Sequence, residues 1–371
     1  MVERPERTQN SFLHKFSAAM ILLREVKPSD LEKLYLLAQR LNTVNLPADL
    51  ERLRAIIAKS RASFGGRFES LKDREYVFVM VDPLFDKIVG SCMIIAQHGT
   101  FERPSVYFDV RKQQKYSSTL QRLFVHKTLH LTFDFDGPTE IGGLILDPAY
   151  RKHPMKLGKL LSFVRFLYIG MHRQWFRDRI VAELLPQLRE DGKSDLWEHL
   201  GAKFTDLDYT TADRISRENI EFVRSLFPST PLYASMLPDE ISAQIGQVGA
   251  KTKPVERMLT NIGFGYNNQI DPFDGGPSFE VKTEACAPVV QTIGVNYLGP
   301  LEEHEEADGH ALIGSDDDSE EVRFRAAFAR YRMEPQGVRL GGLGLERLNL
   351  QPGAVLGLLP MQGIVHDQTH M

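Results

Sequence analysis

The chain has 371 residues, 42% hydrophobic and 25% charged, with a formal net charge of -4; this is the balance of an ordinary folded protein of two or three domains and excludes a disordered or fibrous one. No apolar run approaches the roughly 20 residues of a membrane-spanning helix, and the first twenty residues, with Glu3, Arg4, Glu6 and Arg7, lack the apolar centre of a signal peptide, so a cytoplasmic location is expected. Cys92 and Cys286 are the only cysteines; without zinc or redox spacing they read as two reduced thiols, and no metal site is expected.

In chain order, residues 1–19 read as a flexible extension. A strand over Ile21 to Val26 leads to Pro28-Ser29-Asp30-Leu31-Glu32, which predicts a capping box with Ser29 as the cap and a helix to about Leu41. Ala48 to Ser63 carries Leu50, Leu53, Ile56 and Ile57 at helical spacing. Tyr76 to Val81 and Ile88 to Ile95 predict an antiparallel pair, with Gly90 marking a bulge. Residues 105–135 read more as strand than helix. A strand over 140–146, a helix from about 157 to 173 and a strand over Ile180 to Leu184 follow, then a short helix over 194–204 stopped by Gly201. Thr252 to Phe264 mirrors 194–204, with Ile262-Gly263 against Leu200-Gly201, which suggests a duplicated half-domain. Asp213 to Leu226 reads as a helix, and Asp271 to Pro277 as a turn-rich loop that can line a site.

Between Leu301 and Val322 there are ten acidic residues and no Lys or Arg; the rest of the chain carries 39 acidic against 45 basic residues, about +6. The run is expected to be a solvated acidic loop. The basic residues are scattered and not interleaved with stacking aromatics, which argues against nucleic acid and suits a small anionic ligand. Short strands over 322–328, 337–345 and 354–359 predict a small β-rich terminal module. This order of elements is α+β with mixed sheets, and it lacks the regular alternation of a dinucleotide fold. The expected bounds are a first half over 20–209, a second over 210–295, the acidic loop over 296–321 and the module over 322–371.

The stretch 142–161 holds the chemistry best defined by sequence. An apolar strand reaches Leu146, Asp147-Pro148 breaks it, a basic loop follows and Gly158 opens an amphipathic helix. Such a turn aims free amides and the positive end of a helix at one point, where phosphate is held. With the order of elements, it resembles the Gcn5-related N-acyltransferase superfamily, whose Arg-x-x-Gly-x-Gly loop holds the pyrophosphate of acyl-coenzyme A. Arg151 and Gly158 match the ends of that loop; it is about two residues longer here, and Lys156 stands where the first glycine is expected, able to face phosphate as a point charge.

The blocks Ile180-Val-Ala-Glu-Leu184, Leu196-Trp-Glu-His-Leu-Gly201, Pro231-Leu-Tyr233, Ile245-Gly-Gln-Val248, Gly263-Phe264 and Ile270-Asp-Pro-Phe-Asp-Gly-Gly-Pro277 narrow the resemblance to the arginine N-succinyltransferase family, from about Leu22 to Pro277. The resemblance implies tandem acyltransferase-like halves, succinyl transfer from succinyl-coenzyme A to the α-amine of L-arginine by direct attack on the thioester, no permanently bound cofactor, and a homo- or hetero-oligomer without nucleic-acid or membrane partners. It places the succinyl-coenzyme A contact on Leu144, whose backbone would serve the thioester. The family's proton-donor histidine follows Ile-Gly-Gln-Val, where this chain has Gly249. Candidates for the acid–base work are therefore Glu140, Tyr233 and Lys251; Glu183, Asp271 and Asp274 are candidates for gripping a cationic substrate. His98, His126, His130 and His199 share no metal or triad spacing and are expected to be structural. An acyl-coenzyme A-binding regulatory subunit without catalysis, or a transferase for another amine, is the alternative.

Overall fold

The computed structural model describes residues 21–41, 46–216, 219–317, 321–342 and 345–361. The extension predicted over 1–19 lies outside the described residues. Fifteen strands follow in order: β1 (Leu22–Glu25), β2 (Glu75–Asp82), β3 (Lys87–Ile95), β4 (Ser105–Ser117), β5 (Arg122–Asp134), β6 (Thr139–Leu146), β7 (Arg179–Glu183), β8 (Leu232–Tyr233), β9 (Gly265–Ile270), β10 (Pro277–Lys282), β11 (Ile293–Pro300), β12 (Gly309–Asp316), β13 (Phe324–Glu334), β14 (Gly337–Gly341) and β15 (Val355–Pro360). The long helices are α1 (Leu31–Leu41), α2 (Leu50–Phe64) and α3 (Leu157–Met171).

Two compact units interleave along the chain. The first draws on Met1–Ala96, Ile141–Phe176 and Ala287–Met371, the second on Gln97–Glu140 and Arg177–Cys286. The bounds expected from sequence instead follow the chain linearly, because local patterns carry no information on which distant segments pair.

In the first unit β1 pairs antiparallel with β2 on one side and β13 on the other, and β2 pairs antiparallel with β3. The β2–β3 register shifts so that Val89 is the extra residue beside Gly90, the bulge expected there. Helices α1 and α2 cover Val77, Val79, Val81, Ile88 and Ile145 with Leu34, Leu37, Leu53 and Ile57. Strands β11 to β15 pair in a closed ring, β12-β15-β11-β14-β13 and back to β12, around Ala311, Ile313, Val338, Leu340, Leu356 and Leu358.

Five expectations are corrected. The side chain that caps the turn before α1 is Asp30, which accepts from the Lys27 amide at 2.8 Å and is itself gripped by Arg24; Ser29 is exposed. The acidic run is not one loop: β12 crosses it with Ala311, Leu312 and Ile313 fully buried, so the carboxylates separate into the connections on either side of a core strand. Asp213 to Leu226 forms two helices, Tyr209–Ser216 and Glu221–Leu226. Gly201 does not stop its helix, which continues to Thr205 and ends at left-handed Asp206. A Cβ at 201 would meet the buried Trp197 ring at 2.3 Å, so glycine is there for packing. Gly263, its supposed counterpart, has φ +111° and serves a turn; the mirror between the two segments fails at this glycine.

In the second unit the pairing runs from the first residues of β6 through β7, β10, β9, β4 and β5 to β8. Its core gathers Phe108, Leu129, Trp197, Phe227, Ile245 and Phe273.

Candidate active site

Asp147 closes β6. Its carboxylate accepts from the Ala149 amide at 3.1 Å, from Arg40 at 2.7 Å and from Lys87 at 2.6 Å. Arg151, exposed, donates Nε–H to the Leu146 carbonyl at 3.1 Å, and the chain turns back at Lys156, which is left-handed at φ 47° and ψ 53°. That conformation costs an L side chain roughly 1–2 kcal/mol, which is the physical reason for a glycine at this place. Helix α3 then opens at Leu157 with no side-chain cap, a few residues from Arg151, Lys152 and Lys156, all exposed; the Met155 and Lys156 amides are taken by His153, and those of Lys159 and Leu160 by the Lys156 carbonyl. At Gly158 a Cβ would meet nothing closer than 3.7 Å; the fold itself does not demand glycine there. Upstream on β6, Gly143 has φ +57° and breaks the strand's regularity beside half-buried Leu144. The turn thus offers amides, cations and an irregular strand, the elements that hold a pyrophosphate and a thioester.

The second unit collects acid groups. Glu140 pairs in register with Val181 of parallel β7, and Glu183, two residues on, shares that face by strand alternation. His98 Nδ1 lies 2.6 Å from Glu140 Oε2. Asp271 Oδ1 accepts the amides of Phe273 and Asp274 at 2.7 and 2.9 Å, and Asp274 Oδ1 accepts that of Gly276 at 2.7 Å. The loop docks on the end of β7, where a Cβ at Gly276 would meet the Leu184 carbonyl at 2.6 Å. The Ile-Gly-Gln-Val block joins it through the Gly246 amide on the Gly275 carbonyl at 3.2 Å.

These groups perturb one another. Burial disfavours the charged imidazole of His98, but the charge and hydrogen bond of Glu140, with Glu183 and Asp134 behind it, outweigh this and raise it to about 9. Glu140 is opposed by burial and held below the ordinary carboxylate value by His98. Glu183 keeps solvent access, yet protein crowds it enough for desolvation, then the Glu140 charge, to raise it to about 7. Desolvation, then Glu183, raises Asp271 to about 7 despite its two backbone donors; Asp274 is raised by desolvation and by Asp271. Like charges held together in this way are stabilised by a cation.

Of the sequence candidates, Glu140, Glu183, Asp271 and Asp274 are brought together, and Leu144, Arg151, Lys156 and Gly158 share β6 and its turn. Tyr233 is elsewhere: its hydroxyl donates to Gln113 and its ring edge meets His126. Lys251 is exposed in the loop after Gly249, and no described contact joins either residue to the carboxylates. At Gly249 a Cβ would meet the Pro186 carbonyl oxygen at 2.5 Å, so this backbone has no room for a histidine. His98 was expected to be structural; its partner is distant in sequence, and no local spacing signals the pair. His130, on Thr128, and His199, on the Asp195 carbonyl, fit the structural reading.

Each unit thus has a group of its own, an anion-suited turn in the first and a set of paired acids in the second. Residues 21–288 match the family described as arginine N-succinyltransferase beta subunit. The chain is 34% identical over 273 residues to the arginine N-succinyltransferase of Yersinia enterocolitica, covering 73% of this chain and 78% of the relative. It is 33% identical over 278 residues to arginine N-succinyltransferase subunit beta of Pseudomonas aeruginosa, covering 73% and 79%. The solved structure of arginine/ornithine succinyltransferase subunit AI from Pseudomonas aeruginosa superposes with a TM-score of 0.77 and 26% identity over 92% of this chain and 98% of that one. The chain belongs to the arginine N-succinyltransferase family and is an acyltransferase with an acyl-coenzyme A co-substrate. Among the described residues no helix is long and apolar enough to cross a membrane.

Proposed function

We propose that this chain transfers the succinyl group of succinyl-coenzyme A to the α-amine of L-arginine, a reading supported by its relatives' name, arginine N-succinyltransferase. The observation that carries the reading is a chain of mutually perturbing carboxylates, Glu140 paired with His98, Glu183 beside Glu140, and Asp271 and Asp274 beside Glu183 and each other: a substrate with a guanidinium and an ammonium supplies the cations these carboxylates lack. Arg151, Lys156 and the first amides of α3, at Leu157 and Gly158, hold the pyrophosphate, and the backbone at Leu144 polarises the thioester.

Glu183, raised to about 7, is better matched than Glu140 to take the ammonium proton at neutral pH; Glu140 stays ionised and binds. The free amine then attacks the thioester carbonyl, the C–S bond breaks and the electron pair leaves on sulfur. Of the two protons the nitrogen gives up, one ends on the thiolate and one in solvent. Asp271 and Asp274, each with a carboxylate oxygen outside the turn's own bonds, take the guanidinium. Two acyltransferase-like halves, a β-rich terminal module and assembly with like or paired subunits belong to the same proposal, supported by the resemblance and by the subunit names of the relatives. The test is thiol release on mixing the protein with succinyl-coenzyme A and L-arginine. Release is expected with this pair; none across a panel of amines and acyl donors overturns the reading.

A further inference from the structure

Arg165 lies on α3, two turns past Gly158, and is 3% exposed. Its guanidinium donates Nε–H to the Ser162 carbonyl at 3.1 Å, Nη2–H to Ser162 Oγ at 2.7 Å and Nη1–H to the Gly142 carbonyl at 3.2 Å. All three acceptors are neutral. Another buried arginine of the same unit shows the usual solution, since Arg24 places two nitrogens on the Asp30 carboxylate at 2.6 and 2.8 Å. Among the described residues no carboxylate meets Arg165, and burial presses its guanidinium towards the neutral form. A buried cation ordinarily has a counter-charge, because the interior returns little of the lost hydration. Arginine has five N–H donors; among the described residues three have acceptors, which leaves two for an anion.

The position says which anion. Gly142 precedes Leu144 by two residues on β6, and β6 runs on into the pyrophosphate turn. A coenzyme A laid along the strand from the turn to Leu144 sends its acyl tail towards Gly142. Two strand residues span about 6.6 Å, comparable to a four-carbon acyl tail, and neither Gly142 nor Gly143 sets a side chain over the guanidinium.

We propose that Arg165 is the acyl-specificity residue, taking the terminal carboxylate of a dicarboxylic acyl-coenzyme A beside Gly142. The inference rests on the acyl-coenzyme A reading above and names how the acyl chain is chosen. Succinyl-coenzyme A and butyryl-coenzyme A have acyl chains of equal carbon number and differ in the carboxylate, so their relative affinity isolates the contact from the integrity of α3.

Calorimetric titration of the full chain with each compound tests it. The wild type should favour succinyl-coenzyme A by about 100-fold, the scale of a desolvated charge pair. Arg165→Met should bring the ratio to within about threefold of one, and Arg165→Lys should keep part of the preference as a point charge. Equal affinities in the wild type, or a preference that survives Arg165→Met, overturns the inference; should that variant not fold, the wild-type ratio and its partial loss in Arg165→Lys decide. Thiol release measured in parallel separates the two readings. A succinyl preference without thiol release supports the subsite and sinks the transferase, thiol release without a preference does the reverse, and binding of neither compound overturns both.

Discussion

The imidazole of His98 and the carboxylate of Glu140 sit 2.6 Å apart at the entry to β6, and each shifts the other towards its charged form. His98, raised from 6.5 to about 9, contributes stability that is complete below pH 6.5 and lost as the pH rises through about 9. Glu140, lowered from 4.5, contributes stability present above pH 4.5 and lost as the pH falls. The pair is therefore fully effective between pH 4.5 and 6.5. Thermal melts of wild type and His98→Gln should differ most in that window and converge well above pH 9; a constant difference at every pH would contradict the pairing.

Glu183 should set the acidic limb of the reaction. With the carboxyl raised to about 7, kcat/KM should climb about tenfold per pH unit below 7 and level above it. Glu183→Gln should lower kcat by about 10²- to 10⁴-fold and remove the limb. Retention of the limb in that variant would move the base elsewhere.

L-Arginine binding should be linked to the same carboxylates. Raised carboxyl groups at Glu183 and Asp271 stabilise the fold at low pH and cease to do so as the pH passes about 7, where they become mutually repelling anions. A cationic substrate relieves that repulsion, so the rise in melting temperature given by saturating L-arginine should be larger at pH 8 than at pH 5. Succinate, an anion, should give no such trend.

Lys156 separates stability from binding. Replacing a left-handed lysine at φ 47° by glycine removes the strain while adding unfolded-state entropy, for a net gain of up to about 1 kcal/mol. Lys156→Gly should melt no lower than wild type yet bind coenzyme A several-fold more weakly, the loss shrinking at high salt. Unchanged affinity would take the lysine out of the phosphate site.

Gly249→His places the histidine that the family resemblance implies after Ile-Gly-Gln-Val, but its Cβ would stand 2.5 Å from the Pro186 carbonyl oxygen. The Gly249 amide is also bonded to the Leu185 carbonyl at 3.0 Å, so the backbone cannot simply retreat. A destabilisation of about 2 kcal/mol or more is expected, with no gain in turnover. A faster enzyme with an unchanged melting temperature would show that the loop accommodates the ring.

What was legible in the sequence was local. Alternation gave β2 and β3, the Gly90 bulge, β6, and β7 with Glu183 on it, because strand period and turn residues are written within a few positions. The turn after β6 was readable for the same reason. What escaped depended on distant partners. Gly201 reads as a helix stop from sequence, because the Trp197 ring that requires a glycine there is a matter of packing. The acidic run looked like one loop because ten carboxylates outweighed the apolar Ala311-Leu312-Ile313, which are buried only by pairing with β13 and β15. His98 has no signal beside it, since Glu140 arrives after the whole β4–β5 hairpin. Arg165 reads as an ordinary helical cation; that it is buried without a carboxylate emerges only when β6 lies above it.

Leu23 on β1 pairs with Ala326 on β13, and this sets the order in which the protein can be made. At roughly 5–20 residues per second of synthesis, β1 leaves the ribosome some 15–60 s before the strand that covers its open edge. For that interval Leu22 to Glu25 presents unpaired amides and carbonyls beside β2, the kind of edge that recruits the wrong chain. A nascent protein stalled before β13 is thus an aggregation hazard, and chaperone demand should fall sharply once residue 334 has emerged.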